Sequence, residues 1–363
     1  MIIYIDKSVL EHRSVSDFVF SEEEKSFFAG LANAHRKGRC YLCGDDECMR
    51  WLASRIDLFK GLTRNRFELR SLLQSVERIL IISHDESPKS LNEIPKTTRV
   101  SIITVERAMK YELDAKCILL GENLDDCKFY GLLAVWYMYS QRGSMKGLSL
   151  AFQRESGGGS TIGDVLEKCV AEDNHLTLCL VDSDQKYEDP SEKSKAKKGG
   201  TLYKLRESAN RLSKDNLQDL FEVYELNVHE VENLIPLSVL KHIADTSVKE
   251  MGPGVECLKM MLPEYDKAIL YYDFKKGMTL SKECNKSDYS KYWNQIGDAI
   301  GVSVFPRLCG KVLEKAIEYL SEEDSNRHKN IETTVVEEYL EEEWKTIGSK
   351  VFSWACASRR RAT

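Results

Sequence analysis

Apolar residues occur along this chain in short bursts separated by stretches with helical spacing. Ile2 to Ile5, Cys40 to Cys43, Ile79 to Ile82 and Val100 to Thr104 read as strands, and Ser21 to Ala34 and Arg66 to Val76 as amphipathic helices. The strand around Cys40 feeds a helix from Asp45 to Ile56, and a polar, proline-containing loop runs from His84 to Thr98. This alternation predicts a small α/β domain over residues 1–112, with no catalytic constellation inside it.

A second block, residues 113–242, repeats the alternation with shorter connections. Strands are expected at Cys117–Leu120, Leu148–Phe152, Leu176–Val181 and Leu220–Leu226. Helices are expected at Asp126–Tyr139, Thr161–Ala171 and Leu202–Leu212, with a Gly157-Gly158-Gly159 turn between the second strand and its helix. Such connections favour parallel strands with crossover helices. A hydrophilic insertion, Gln185 to Gly200, carries Lys193, Lys195, Lys197 and Lys198. Residues 243–363 are mostly helical in pattern, with apolar spacing in Leu313–Leu320 and Val335–Trp344. Glu337, Glu338, Glu341, Glu342 and Glu343 read as a solvated helix face, and Arg359-Arg360-Arg361 as a frayed tail.

Composition adds limits. With 363 residues and 42% hydrophobic side chains the chain can bury a large core, and no run approaches the apolar length that spans a bilayer. Met1 to Asp6 carries no basic leader region, so a soluble, cytoplasmic protein without membrane contact is expected. Basic residues number 52 against 58 acidic, a net charge of −6, so no global positive field draws in nucleic acid. The 11 cysteines fall mostly in apolar runs and read as reduced core thiols. Cys40, Cys43 and Cys48 with His35 have zinc-like spacing, but a strand feeding a helix explains them better.

The candidate chemistry sits beyond the carboxyl ends of apolar strands, where parallel sheets present functional groups. Glu122 follows Cys117-Ile118-Leu119-Leu120-Gly121; Asp182 and Asp184 follow Leu176 to Val181, and alternation along an extended chain would put these two on one side. Glu230 and Glu232 follow the next strand in His229-Glu230-Val231-Glu232-Asn233. Converging carboxylates are costly unless cations neutralise them, and hard oxygen ligands suit Mg2+ or Mn2+. Glu155 is a rival acidic residue, but three glycines follow it and no acidic residue lies four positions on. The Gly158-Gly159-Ser160 turn opens a helix and could offer amides to a phosphate, though it is no Walker loop. Lys186, Lys204 and Arg206 are the nearby cations, and His229 is a candidate proton shuttle weighed against a structural role.

The ordered set resembles the TOPRIM family of topoisomerases, primases and OLD-type nucleases, most closely the TOPRIM nucleases of phage-defence systems. Leu119-Leu120-Gly121-Glu122-Asn123-Leu124-Asp125-Asp126 looks like the family's first motif, with Asp126 at the place of its helix-borne Asp and Asn123 where the family has Gly. Val181-Asp182-Ser183-Asp184 looks like the second motif, and His229 to Asn233 like the later acidic motif. The resemblance implies an α/β TOPRIM-like parallel sheet core between the N-terminal α/β domain and a helical C-terminal domain. It implies a metal centre of Glu122, Asp126, Asp182, Asp184, Glu230 and Glu232, with Glu122, Asp182 and Asp184 catalytic. Neither a topoisomerase tyrosine domain nor a primase zinc module is evident, so the expected function is a Mg2+- or Mn2+-dependent nuclease acting on DNA or RNA. The rivals are a non-catalytic assembly or nucleic-acid-binding subunit and a primase-like nucleotidyl transferase. Because the chain has little local positive charge, substrate grip or control is expected from a partner protein, an ATPase among the candidates, or from a second copy of the chain, with the helix Val335–Trp344 as docking element.

Overall fold

Short runs of buried branched residues build the first sheet. Its strands are β1 (Ile2–Ile5), β2 (Tyr41–Gly44), β3 (Arg78–Ser83) and β4 (Arg99–Thr104), paired in parallel in the order β2-β1-β3-β4. Every residue of β1, β2 and β3 is buried, whereas β4 alternates as an edge strand must. The helix Glu22–Arg36 crosses between β1 and β2, opened by a capping box in which Ser21 and Glu24 exchange hydrogen bonds.

The computed structural model describes residues 1–11, 20–62, 66–89, 94–141, 145, 147–188, 200–280, 287–323 and 329–359, with the backbone alone at 66–68. Lys193, Lys195, Lys197 and Lys198 of the insertion, Arg360 and Arg361 of the tail and part of the loop after His84 lie outside the described residues.

Next in the chain come β5 (Cys117–Gly121), β6 (Leu148–Leu150), β7 (Phe152–Ser156), β8 (Thr177–Val181) and β9 (Phe221–Glu225). Four of these form a second all-parallel sheet in the order β7-β5-β8-β9. The two sheets thus share one topology. In each the chain first steps to one side of its opening strand and then crosses to the other. The second sheet's switch point falls between β5 and β8, the place where parallel sheets present functional groups.

The expected strand Leu148–Phe152 is corrected to two shorter ones. Leu148–Leu150 pairs antiparallel with β12 (Cys356–Ser358), and the parallel strand is Phe152–Ser156. As an edge strand, β7 carries the polar residues Gln153, Arg154 and Glu155, which hid its extended character.

Beyond β9 the chain is mainly helical, with a small antiparallel pair, β10 (Met278–Thr279) and β11 (Val304–Phe305). The long helix Glu338–Ala355 lies along the helix Leu124–Ser140, which follows β5. Their approach is close: a Cβ at Gly348 would meet the Leu133 carbonyl at 2.8 Å and Tyr137 Cβ at 2.8 Å. Trp344 is fully buried, donates from Nε1 to the Leu234 carbonyl at 2.7 Å, and meets Trp136 edge to face. The apolar side of the expected docking helix is therefore occupied within the chain, and only Val335, 78% exposed, stands free of the core.

The acidic face of that helix is corrected at two positions, the first being Glu337, which precedes the helix, is partly buried and accepts the Ser238 N–H at 3.3 Å. Glu338 and Glu342 are exposed, but Glu343 is buried and accepts hydrogen bonds from Asn227 N–H at 2.9 Å and the Tyr224 hydroxyl at 3.1 Å. A second buried polar group ties the two sheets together. Arg78 of β3 lies 3.5 Å from Glu222 of β9 and 4.6 Å from the Trp354 ring centroid, while Lys350 reaches Glu222 at 2.9 Å and Glu77 at 3.2 Å. One contiguous set of buried apolar side chains runs from Met1 through both sheets to Cys356. Among the described residues no helix is long and apolar enough to cross a membrane.

Candidate metal centre

Glu122 is the first residue beyond β5 and Asp182 the first beyond β8. These strands are neighbours, with Leu120 opposite Cys179, so the two carboxylates leave adjacent rows about 4.8 Å apart at the switch point. The turn after β5 is tight: a Cβ at Gly121 would meet Cys127 Sγ at 2.9 Å. The helix that follows begins at Leu124, two residues earlier than its pattern suggests, so Asp126 stands in its first turn. Its Oδ2 accepts the Asn123 N–H at 2.8 Å, a cap that commits one carboxylate oxygen to the helix end.

Glu230 and Glu232 do not alternate along a strand. They flank the start of a one-turn 3-10 helix, Val231–Leu234. Asp182 Oδ1 accepts the Val231 N–H at 3.0 Å, and Asn233 Oδ1 accepts the Glu230 N–H at 3.0 Å. The Asn233 amide donates to the Ile269 and Tyr272 carbonyls, both at 2.8 Å. The turn is thereby stitched to the strand end on one side and to the helical region on the other.

These carboxylates are crowded. Burial first, then Asp126 and Asp184 and more weakly Glu230, pushes Glu122 up to about 7 against the pull of Lys275. Burial pushes Asp126 up to about 6, opposed by the Asn123 N–H and aided by Glu232. Asp182 is held well above the usual carboxylate range, by burial first and then by Glu122, Asp126, Glu232 and Glu230. Each of these groups gives up its proton reluctantly because it is buried, and then because its neighbours are anions.

One cation answers them. Lys275 Nζ lies 3.2 Å from Glu230 Oε2 and 3.1 Å from Glu232 Oε1. Burial works against its ammonium, and Glu232 and Glu230 more than offset this, raising its pKa above the ordinary lysine value. Sequence reasoning missed Lys275 because a lone lysine in a turn reads as solvated surface, and nothing in Asp273-Phe274-Lys275-Lys276-Gly277 signals the fold-back that carries it here.

Asp184 reaches the group by another route than strand alternation. The extended chain ends at Val181, and Asp184 is exposed in a left-handed turn, φ +55°, its N–H donated to the His229 carbonyl at 3.1 Å. It acts on Glu122, not foremost on Asp182. Among the described residues, the group of three potential ligand side chains whose donor atoms all lie within 4.8 Å of one another is His229, Glu230 and Asp273. Glu122, Asp182 and Asp184 are electrostatic neighbours that do not close to that spacing in this conformation.

The glycine turn abuts the centre. Gly158 N–H and the Ser156 hydroxyl donate to the Glu122 carbonyl at 3.1 and 3.0 Å, and a Cβ at Gly157 would lie 2.9 Å from Ile162 Cα. Gly158 and Gly159 are left-handed, φ +63° and +65°, and Ser160 is exposed on the 3-10 turn Gly159–Thr161. Glu155, the rival acid, sits within β7 opposite Leu120, short of the strand end. Lys186 and Lys204 are exposed, and among the described residues neither is ion-paired; Arg206 is engaged by Glu225 through two hydrogen bonds of 2.6 and 2.7 Å. At the cysteine group, His35 Nδ1 accepts the Leu42 N–H at 3.0 Å, and Cys40, Cys43 and Cys48 are buried thiols outside any disulfide, Cys40 pushed up to about 12 by burial.

No family model matches this sequence, and no curated protein or solved structure matches it.

Proposed function

We propose that the chain is a divalent-metal-dependent phosphodiesterase of TOPRIM type, cleaving DNA or RNA. The observation that carries this reading is the placement of Glu122 and Asp182 on either side of a parallel sheet's switch point, with Asp126, Asp184, Glu230 and Glu232 around them. The donor set fits a hard ion: all six are carboxylates, three are pushed above their ordinary pKa, and Glu232 Oε2 is buried without a hydrogen-bond partner. Glu122, Asp182 and Asp184 would hold Mg2+ or Mn2+ after small side-chain rotations, with Glu230 or Glu232 aiding; a bound ion would polarise a phosphoryl oxygen and acidify a coordinated water. Of the chain's own groups, Glu122 would be the proton acceptor where the other carboxylates hold the ion, since a cation on Glu122 itself would lower its pKa, and Lys275 keeps Glu230 and Glu232 in place. The exposed Gly158 to Ser160 turn, Lys186 and Lys204 are the proposed contacts to the polyanion.

A second reading has its own observation. Lys275 already neutralises part of the acidic group, as it would in a non-catalytic assembly subunit that needs no ion. Incubating purified protein with mixed DNA and RNA in Mg2+, in Mn2+ and in chelator separates them. Cleavage should require the ion, and Asp182→Asn should lower it by at least ~100-fold, corresponding to several kcal/mol of lost transition-state stabilisation. Unchanged cleavage by the variant would remove the reading, and incorporation of nucleotides in place of released ends would favour the transferase. A partner protein or a second copy as the source of substrate grip remains part of this proposal, tested by sedimentation of the lone chain at physiological salt.

A further inference from the structure

His229 is a buried histidine whose ring has no hydrogen bond among the described residues. Its side chain is 4% exposed, Nδ1 is buried without a partner, and Nε2 faces Asp273 Oδ2 across 3.9 Å. That gap is too long for a hydrogen bond, which closes at about 2.7–3.2 Å. It is about half an ångström wider than the roughly 3.4 Å between two ligands of a tetrahedral zinc with bonds of about 2.0–2.2 Å, so a small closing movement of the Asp273 side chain would admit one ion. Glu230 supplies a third donor: one ligand atom from each of His229, Glu230 and Asp273 lies within 4.8 Å of the others.

The backbone holds this arrangement in place. The His229 N–H donates to the Leu270 carbonyl at 2.8 Å and its carbonyl accepts from Asp184, so the ring cannot swing away with its main chain. Asp273 Oδ1 accepts the Lys276 N–H at 2.8 Å, and Oδ2, which faces the histidine, accepts from the Lys276 ammonium at 3.4 Å; Glu230 Oε2 meets Lys275 Nζ at 3.2 Å, so a bound ion would replace these two ammonium contacts.

We propose that His229, Glu230 and Asp273 form a second site, for a borderline transition-metal ion of the Zn2+ class, which shares Glu230 with the carboxylate centre at the strand ends. An imidazole with two carboxylates selects zinc or cobalt over magnesium, which prefers oxygen ligands and gives up its waters reluctantly. The ion would tie the turn after β9 to the Tyr271–Phe274 segment and so fix Glu230 and Glu232 in position; it is a positioning device and takes no part in bond cleavage.

The test uses the full chain, stripped by chelator and titrated with Co2+ as a spectroscopic probe, then with Zn2+. One equivalent should bind with visible ligand-field bands, resist a large excess of Mg2+, and persist in Asp182→Asn, which disables the strand-end centre. Asp273→Asn, which can keep the bond from Lys276 through Oδ1, should weaken Zn2+ binding by at least ~100-fold, since even residues outside a metal's direct ligands change affinity by about 10–100-fold. His229→Asn should abolish the bands. Absent binding to the wild-type chain, displacement by equimolar Mg2+, or full affinity in a folded Asp273→Asn would overturn the site. Loss in Asp182→Asn with retention in Asp273→Asn would assign the ion to the strand ends.

Discussion

Lys275 Nζ stands 3.1 Å from Oε1 of Glu232, an ammonium delivered from the helical region into the mouth of the second sheet. Replacing it, Lys275→Met, leaves its acidic partners without their cation. In chelator at pH 8 the variant should be less stable by about 1 kcal/mol, below the roughly 1.5–3 kcal/mol of a charged hydrogen bond, because the lysine side chain is 44% exposed and solvent screens it. Saturating Mg2+ should recover most of that loss. A calorimetric scan with and without Mg2+ checks it, and a loss that Mg2+ leaves untouched would contradict the role.

Stability without metal should depend on pH with an unusual sign. Glu122 rises from an ordinary 4.5 to about 7 and Asp126 from 3.8 to about 6, so the folded chain binds these protons more tightly than the unfolded one. The stabilisation is fully present below about pH 4 and is lost as pH rises through 6 and 7. Other groups titrate too, so the clean observable is a difference: Glu122→Gln should flatten the decline between roughly pH 5 and pH 8 and raise the melting temperature at the upper end. A pH profile parallel to wild type would count against the crowded centre.

Glu222→Gln should cost about 3 kcal/mol, because it leaves Arg78, with a 2% exposed side chain, without its carboxylate. Glu225→Gln, whose partner Arg206 is 35% exposed, should cost under ~1 kcal/mol. Urea unfolding at constant slope measures both, and equal costs would show that burial does not decide them.

Trp344→Ala should destabilise by about 3–5 kcal/mol, combining lost packing with a lost hydrogen bond to the Leu234 carbonyl. Val335→Ser, at a 78% exposed position, should stay within about 0.5 kcal/mol. If Val335→Ser instead alters sedimentation of the chain, that residue lies at a contact surface.

Much of the sheet architecture was legible because fully buried parallel strands are continuous apolar runs, as in Ile79 to Ile82 and Leu178 to Val181. The edge strand β7 was not, since Gln153-Arg154-Glu155 has no burial to enforce a pattern. Glu122 and Asp182 were legible from their places after strands. Lys275, Asp273 and the pairing of Arg78 with Glu222 were not, because residue pairs brought together by long-range packing leave no local periodicity. Asp184 shows the limit of alternation as an argument: the period of two holds only while the chain stays extended, and one left-handed residue ends it.

The contact of Gly348 with Leu133 and Tyr137 bears on the order in which a ribosome delivers the chain. Every proposed ligand precedes residue 276, yet the helix that bears Asp126 rests on a helix that begins some sixty residues beyond the last of them. A nascent chain ending near residue 330 would hold all of the acidic side chains and lack the surface that braces them. The centre should therefore mature only after the helix Glu338–Ala355 has emerged, which for a nuclease would delay activity until then.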